Sequence, residues 1–385
     1  MAKKQTVLFR LMSPKTICHL ASRCLPAPAL AVLLITSFTL ISTTAGAIET
    51  NNASAAPANK MFIPKLTDRS KAGIMAYFRT VIENQRVIVG QQCSESADVA
   101  LNYKISFQSL YESTGKHPAL LGLEYGYFAN ANLPANNQYA IAHWKKGGLV
   151  TISWHADNPF KEGYNVRFDS AQEKKSINLR SLLKNAPDST AKTSYRAELR
   201  RIAGALKQLK DAGVIVLWRP FHEVNGNWFW WGVNDWKKPN NQEDFAALWK
   251  DMRETFTTDF GLDNLLWVYS PSSSKGHALP PLEAMFPGAP YVDIVAVDSY
   301  GKSPDFNDYE ALKKFGKLIA NGEIGPNKDG YGSFDQMEVL NIFKGKAAYF
   351  LQWHSWGKSK VAIVDNLRCQ EMMNNPAAST LDKLR

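Results

Sequence analysis

The stretch VIVLWRPFHEVNGNWFWWG, residues 214–232, changes character half-way along. Val214 to Trp218 form a β-branched and aromatic run with no charge, of the kind that suits a strand buried on both faces. Arg219, His222 and Glu223 then follow within five residues, and a polar and aromatic loop closes the segment with Trp228, Trp230 and Trp231. A strand that enters apolar and leaves charged is the unit of a parallel sheet whose carboxyl ends carry chemistry.

The same grammar recurs. RVIVGQQ (86–92), PALLGLEYG (118–126), LVTISWHAD (149–157), LLWVYSPS (265–272), VDIVAVDSY (292–300), KLIANGEIG (317–325) and AAYFLQWHSW (347–356) complete a set of eight strand candidates. Amphipathic segments separate them. In TSYRAELRRIAGALKQLKDAG (193–213) apolar residues recur every three or four positions and Gly213 supplies a stop. In NNQEDFAALWKDMRETFTTDFG (240–261) Asn240 or Asn241 is the expected N-cap and Gly261 the terminator. Eight strand-then-helix units over some 300 residues predict an α/β protein with a single (β/α)8 TIM barrel across residues 66–385. A doubly wound open sheet would call for a glycine-rich phosphate loop after the first strand, and VGQQ is not one.

The first 47 residues read differently. Five basic residues and no acidic ones precede an apolar run at 29–41, which ends in Ala45-Gly46-Ala47. That order predicts a signal peptide over 1–47, and residues 48–65 read as a flexible tether. The expected product is a secreted or periplasmic monomer with no membrane span after cleavage. Its 40 basic against 35 acidic residues form no cluster that would suit nucleic acid. Export would also allow Cys93 and Cys369 to pair as a disulfide.

In a parallel barrel the polar strand ends converge: Glu124, Trp154 with His155, Arg219 with His222 and Glu223, Tyr300, Glu323, and Trp353 with His354 and Trp356. Strands four and seven face each other across the barrel, so Glu223 and Glu323 can flank a bound sugar as the two carboxyls of a glycoside hydrolase. Glu223, among aromatic side chains, is expected to hold a proton as acid/base. Glu323, between Gly322 and Gly325, is expected to be ionised as nucleophile. Trp228 is the expected sugar-stacking residue, with Trp230 and Trp231 left to packing. Glu124 and Trp154 are expected to reach the substrate as well. Zinc chemistry is disfavoured because HEVNG lacks a second histidine four residues after the first, and no G-x-S-x-G supports a serine hydrolase. A non-catalytic polysaccharide-binding barrel would have no need of two opposed carboxylates.

Together WRPFHEVNGNWFWWG (218–232), SWHADNP (153–159), VAVDSYG (295–301) and GEIGP (322–326) resemble glycoside hydrolase family 26, in the family's order and over essentially all the chain from about residue 70. The resemblance implies retaining hydrolysis of β-1,4-mannan without a cofactor, with Glu223 as acid/base and Glu323 as nucleophile. It places His155, Arg219, His222, Trp228 and Tyr300 around the bond that is cut, with Trp353 or Trp356 as the floor. The Glu-Tyr pair in LGLEYGYFAN (121–130) and the loop GQQCSES depart from the pattern. They leave open a β-1,3-1,4-glucanase or β-1,3-xylanase of the same mechanism.

Overall fold

A computed structural model of the chain describes residues 62–93, 98–126, 132–163, 165–167, 169–232, 239–274 and 279–385. The segment read as a signal peptide, most of the tether, and parts of the GQQCSES and LGLEYGYFAN loops lie outside the described residues. Among the described residues no helix is long and apolar enough to cross a membrane.

Five parallel strands follow one another as neighbours: β1 (Val87–Gln92), β2 (Leu120–Glu124), β3 (Leu149–Trp154), β4 (Val216–Pro220) and β5 (Leu265–Tyr269). Every residue of these five is buried, as expected of strands covered by helices outside and by side chains within. The sixth and seventh candidates are each interrupted. Candidate six is β6 (Ile294–Val295) and β7 (Asp298–Gly301), and candidate seven is β8 (Leu318–Ile319) and β9 (Glu323–Pro326). β6 pairs with β5 and β8, while β7 pairs with β9. β10 (Tyr349–Gln352) then pairs with β9 on one side and β1 on the other, so the eight-stranded ring closes.

The interruptions keep their hydrogen bonds. Ala296 and Gly322 donate to Tyr269 and Val297, and the side-chain amide of Asn321 reaches the carbonyls of Val297 and Glu323. The strands therefore bend without losing pairing, and the bend delivers Asp298 and Glu323 side by side in register. Beneath the barrel, β11 (Ala378–Ser379) pairs with β1, and buried Arg86 donates to Ser379 and to the carbonyl of Ala378.

The helical layer follows the predicted periodicity with shifted ends. The helix expected at 193–213 runs Thr190–Asp211, capped by the Ser189 hydroxyl, and Gly213 just beyond it has φ of 73°. The next one runs Pro239–Glu254, followed by a π-turn at Thr255–Asp259. It thus begins ahead of Asn240 and Asn241, with proline at its first position, where a missing N–H costs nothing.

Pairing of Cys93 with Cys369 is not what the structure contains; both are free. Cys93 follows β1 at the carboxyl end of the barrel, wholly buried, with its N–H bonded to Gly122. Cys369 opens a helix of the outer layer (Cys369–Asn374), where its thiol bonds Ser113. Burial pushes both thiols up, so neither is a ready nucleophile. An aromatic disulfide reagent should modify Cys369 slowly in the folded protein and Cys93 only after unfolding. A mass unchanged by reduction would agree with this, and a gain of two hydrogens would not.

Candidate active site

Side chains alternate along β3 and β4, and that alternation sorts the candidates. Ser153, His155, Arg219 and His222 turn towards the axis. Trp154 and Trp218 turn outwards, stacked with ring centroids 6.1 Å apart, with Phe221 packed on Trp154. Trp154 is therefore fully enclosed in the helix-facing core and has no face to offer a sugar, contrary to the expectation from its position at a strand end.

Glu124 also has a different place from the expected one. Its carboxylate accepts from the Ser153 hydroxyl and from the backbone N–H groups of Gly126 and His155, and pairs with His155 Nδ1 at 3.0 Å. Burial alone would raise its pKa, but His155 and these hydrogen bonds bring it below the usual carboxylate value. It is a buried orienter of His155. His155 Nε2 in turn lies 3.1 Å from His222 Nε2, the two rings edge to face. Burial, with His155 and Arg219 adding to it, holds His222 well below the ordinary histidine value and hence neutral.

Arg219 occupies the centre. Wholly buried, it donates from Nη1 to Asp298 at 2.9 Å and from Nη2 to Glu323 Oε1 at 2.6 Å. Tyr300 donates to the other Glu323 oxygen at 2.6 Å. Burial and the nearby Glu323 charge raise the Tyr300 phenol far above its usual value, so it stays a donor while its ring edge faces the cleft. Gly322 lets this happen, since a Cβ there would sit 2.1 Å from Ser270 Oγ and 2.4 Å from Asp298 Oδ1. Ser270 bonds the second Asp298 oxygen, and burial pushes the Asp298 carboxyl up against the pull of Arg219.

Glu223 stands opposite, half-buried, on a loop where both it and Phe221 adopt positive φ, 53° and 49°. Its N–H is tied to the Ser270 carbonyl at 2.7 Å, and its Oε2 accepts from Trp228 Nε1 at 2.6 Å. Burial first, then the Glu323 charge, raise its pKa to about 7, while the Trp228 hydrogen bond, His155 and Arg219 oppose them. The aromatic loop thus acts in two directions on this carboxyl. Glu223, Asp298 and Glu323 each bring an oxygen within 4.8 Å of the others.

A cavity of about 490 Å³ opens beside Glu223 and Trp228 and continues past Ser272, Tyr300 and Lys302. Trp230 and Trp231 do not face it; they are buried and donate to the carbonyls of Ala156 and His222. Trp353 is 5% exposed, with the Arg219 guanidinium 6.0 Å from its ring, whereas Trp356 is 45% exposed. Asp298, Ser270 and Asn321 carry much of the positioning. Of these only Asp298 is visible in the sequence, as a carboxylate at the polar end of the strand candidate VDIVAVDSY.

Glycosyl hydrolase family 26 matches residues 64–376. The chain belongs to this family. Among family 26 relatives, the chain is 36% identical over 259 residues to a mannan endo-1,4-beta-mannosidase of Bacillus subtilis, covering 63% of this chain and 68% of that protein. It is 35% identical over 286 residues to mannan endo-1,4-beta-mannosidase A and B of Caldalkalibacillus mannanilyticus, covering 70% of this chain and 53% of the relative. This chain therefore spans about half the length of that second relative. The solved Bacillus subtilis mannanase BCman superimposes with a TM-score of 0.67 at 25% identity, over 83% of this chain and 96% of the other.

Two predictions follow from the Glu223 environment. If protonated Glu223 is required, kcat/KM falls as pH rises through about 7, and Trp228→Phe, which removes a hydrogen bond to the ionised form, moves that limb to higher pH. A folded-state pKa raised above the ordinary 4.5 means stability present at low pH is lost as pH rises towards 7. Glu223→Gln should accordingly raise Tm at pH 8 and leave it nearly unchanged at pH 4, as read by calorimetry.

Proposed function

We propose that this glycoside hydrolase cleaves β-1,4-mannan within the chain by double displacement with retention of configuration. The observation that carries the mechanism is the close approach of the carboxyls: oxygens within 4.8 Å suit direct attack by one of them and leave no room for the water of an inverting enzyme, which needs a separation of roughly 6.5–9.5 Å. The mannan assignment rests on the relatives named above.

The Glu323 carboxylate, held by Arg219 and Tyr300, attacks the anomeric carbon. As the glycosidic C–O bond breaks, the Glu223 proton passes to the leaving oxygen. Glu323 is then an ester without charge, so its share of the rise in the Glu223 pKa, which came after that of burial, disappears. Glu223, now a carboxylate, takes a proton from water. The resulting hydroxide equivalent displaces Glu323 from the anomeric carbon, and the original charges return. Burial and this electrostatic contact together raise the pKa for the first step, and loss of the contact lowers it for the second. Trp228 stacks on the sugar beside the leaving bond, and Trp353 floors the site. The basic and apolar leader of residues 1–47 supports an exported enzyme.

Incubating the protein with mannan, glucomannan, mixed-linkage glucan and β-1,3-xylan tests the substrate class; mannan and glucomannan should release oligosaccharides. Glu323→Ala should lose on the order of 10⁴-fold or more in kcat. Glu223→Ala should lose comparably on polysaccharide but far less on aryl glycosides whose leaving group needs no proton. Equal loss on both substrate types would reverse the assignment of Glu223.

A further inference from the structure

Trp356 is the one tryptophan exposed to solvent among the described residues, and nothing in the chemistry above uses it. It ends a line of rings that begins at the centre. Trp353 lies over Arg219, the His354 ring is 5.5 Å from Trp353, and the Trp356 ring is 5.8 Å from His354. Exposure along this line goes from 5% and 2% to 45%, so it leads from the catalytic arginine to the rim.

The turn that presents Trp356 is rigid. Trp356 and Ser359 exchange backbone hydrogen bonds of 3.3 and 2.8 Å across Gly357 and Lys358. Behind it, the Ser355 hydroxyl accepts from the N–H groups of Val361 and Ala362 and donates to Asp365. Asn366 reaches the carbonyls of Val361 and Ala362, and Gln352 of β10 reaches Val361 as well. An indole fixed in this way loses little entropy when it meets a flat ligand.

Its side of the cleft decides the ligand. Glu223 protonates the leaving oxygen, so the departing part of the chain runs over the cavity beside Glu223 and Trp228. The cavity is lined from the ends of β4, β5, β7 and β9, so in the ring order the part that becomes attached to Glu323 is directed towards the other side, where β10 and its following turn adjoin β9. We infer that Trp356 is the stacking platform of a distal sugar on this retained side, taking the apolar C–H face of a hexose in a β-1,4-linked chain beyond the sugar that is attacked. This rests on the reading of the protein as a retaining endo-glycosidase. Binding made this far from the reacting bond positions the chain, so its loss shows with long substrates and not with short ones.

The test compares the full chain with Trp356→Ala and Trp356→Phe on a ladder of oligosaccharides from the glycan the wild type cleaves best, with a short aryl glycoside filling only the central site. Trp356→Ala should lose about 5- to 30-fold in kcat/KM on the longest substrates and under about 2-fold on the shortest, with products shifted in length. Trp356→Phe should recover most of the loss. Wild-type rates throughout for Trp356→Ala, or an equal loss on short and long substrates, would overturn the platform while leaving the hydrolase reading intact. A wild type that cleaves no glycan of the panel would overturn both.

Discussion

One buried guanidinium holds the active site together. Arg219 has no access to solvent, and an isolated charge there would cost several kcal/mol, so its partners are part of the same structure. It touches Asp298 and Glu323 directly, and a third carboxyl, Glu223, comes within 4.8 Å of both. One positive charge cannot balance three carboxylates in so small a volume. Burial and this crowding raise the Glu223 pKa to about 7 and push the Asp298 carboxyl up as well. Arg219 gives its hydrogen bonds to Asp298 and Glu323 and none of those to Glu223, which stands on the wall of the cleft. In the proposed mechanism the arginine thus holds the attacking carboxylate, and the proton donor is left to the aromatic loop.

The opposite wall is held by backbone strain and the aromatic loop. Left-handed conformations at Phe221 and Glu223 cost on the order of 1–3 kcal/mol each and persist only where the surroundings enforce them. Here the Ser270 carbonyl fixes the Glu223 N–H, the Trp231 indole fixes the His222 carbonyl, and Asn225 bonds Ser272 in both directions. Most of the tryptophan density in residues 218–232 therefore builds the turn that aims one carboxyl. Only Trp228 both touches that carboxyl and borders the cavity.

Much of this was legible in the residues, for identifiable reasons. All eight barrel strands announce themselves because strands covered on both faces need unbroken apolar runs, and their polar ends stand out against those runs. The interruptions at Ala296–Val297 and Ala320–Gly322 are not visible, since they arise from the packing of Gly322 against Ser270 and Asp298, which are distant in sequence. Trp154 could have been placed correctly: with Ser153 and His155 turned inwards, strand alternation sends the residue between them outwards. Glu124 could not, because its burial depends on three donors, and only the fold brings Ser153 and His155 to it. The separation of Cys93 from Cys369 likewise depends on which layer each occupies, which spacing alone does not carry.

The two histidines extend the same logic across the barrel. Glu124, ionised, keeps a proton on His155 Nδ1, so His155 Nε2 presents a lone pair and receives the Nε2 proton of neutral His222. His222 then has no positive charge, and at 3.7 Å its ring contributes bulk beside Glu323 Oε1 more than attraction. A protonated His222 would compete with Arg219 for the same oxygen and would stabilise the Glu323 carboxylate, making it a poorer nucleophile. Burial keeps it neutral, helped by His155 and the Arg219 charge, while Glu124, an acidic residue two strands away, fixes which His155 nitrogen accepts from it. The end of β2 is thereby linked, through two imidazoles, to the placement of the ring that sits beside Glu323 Oε1.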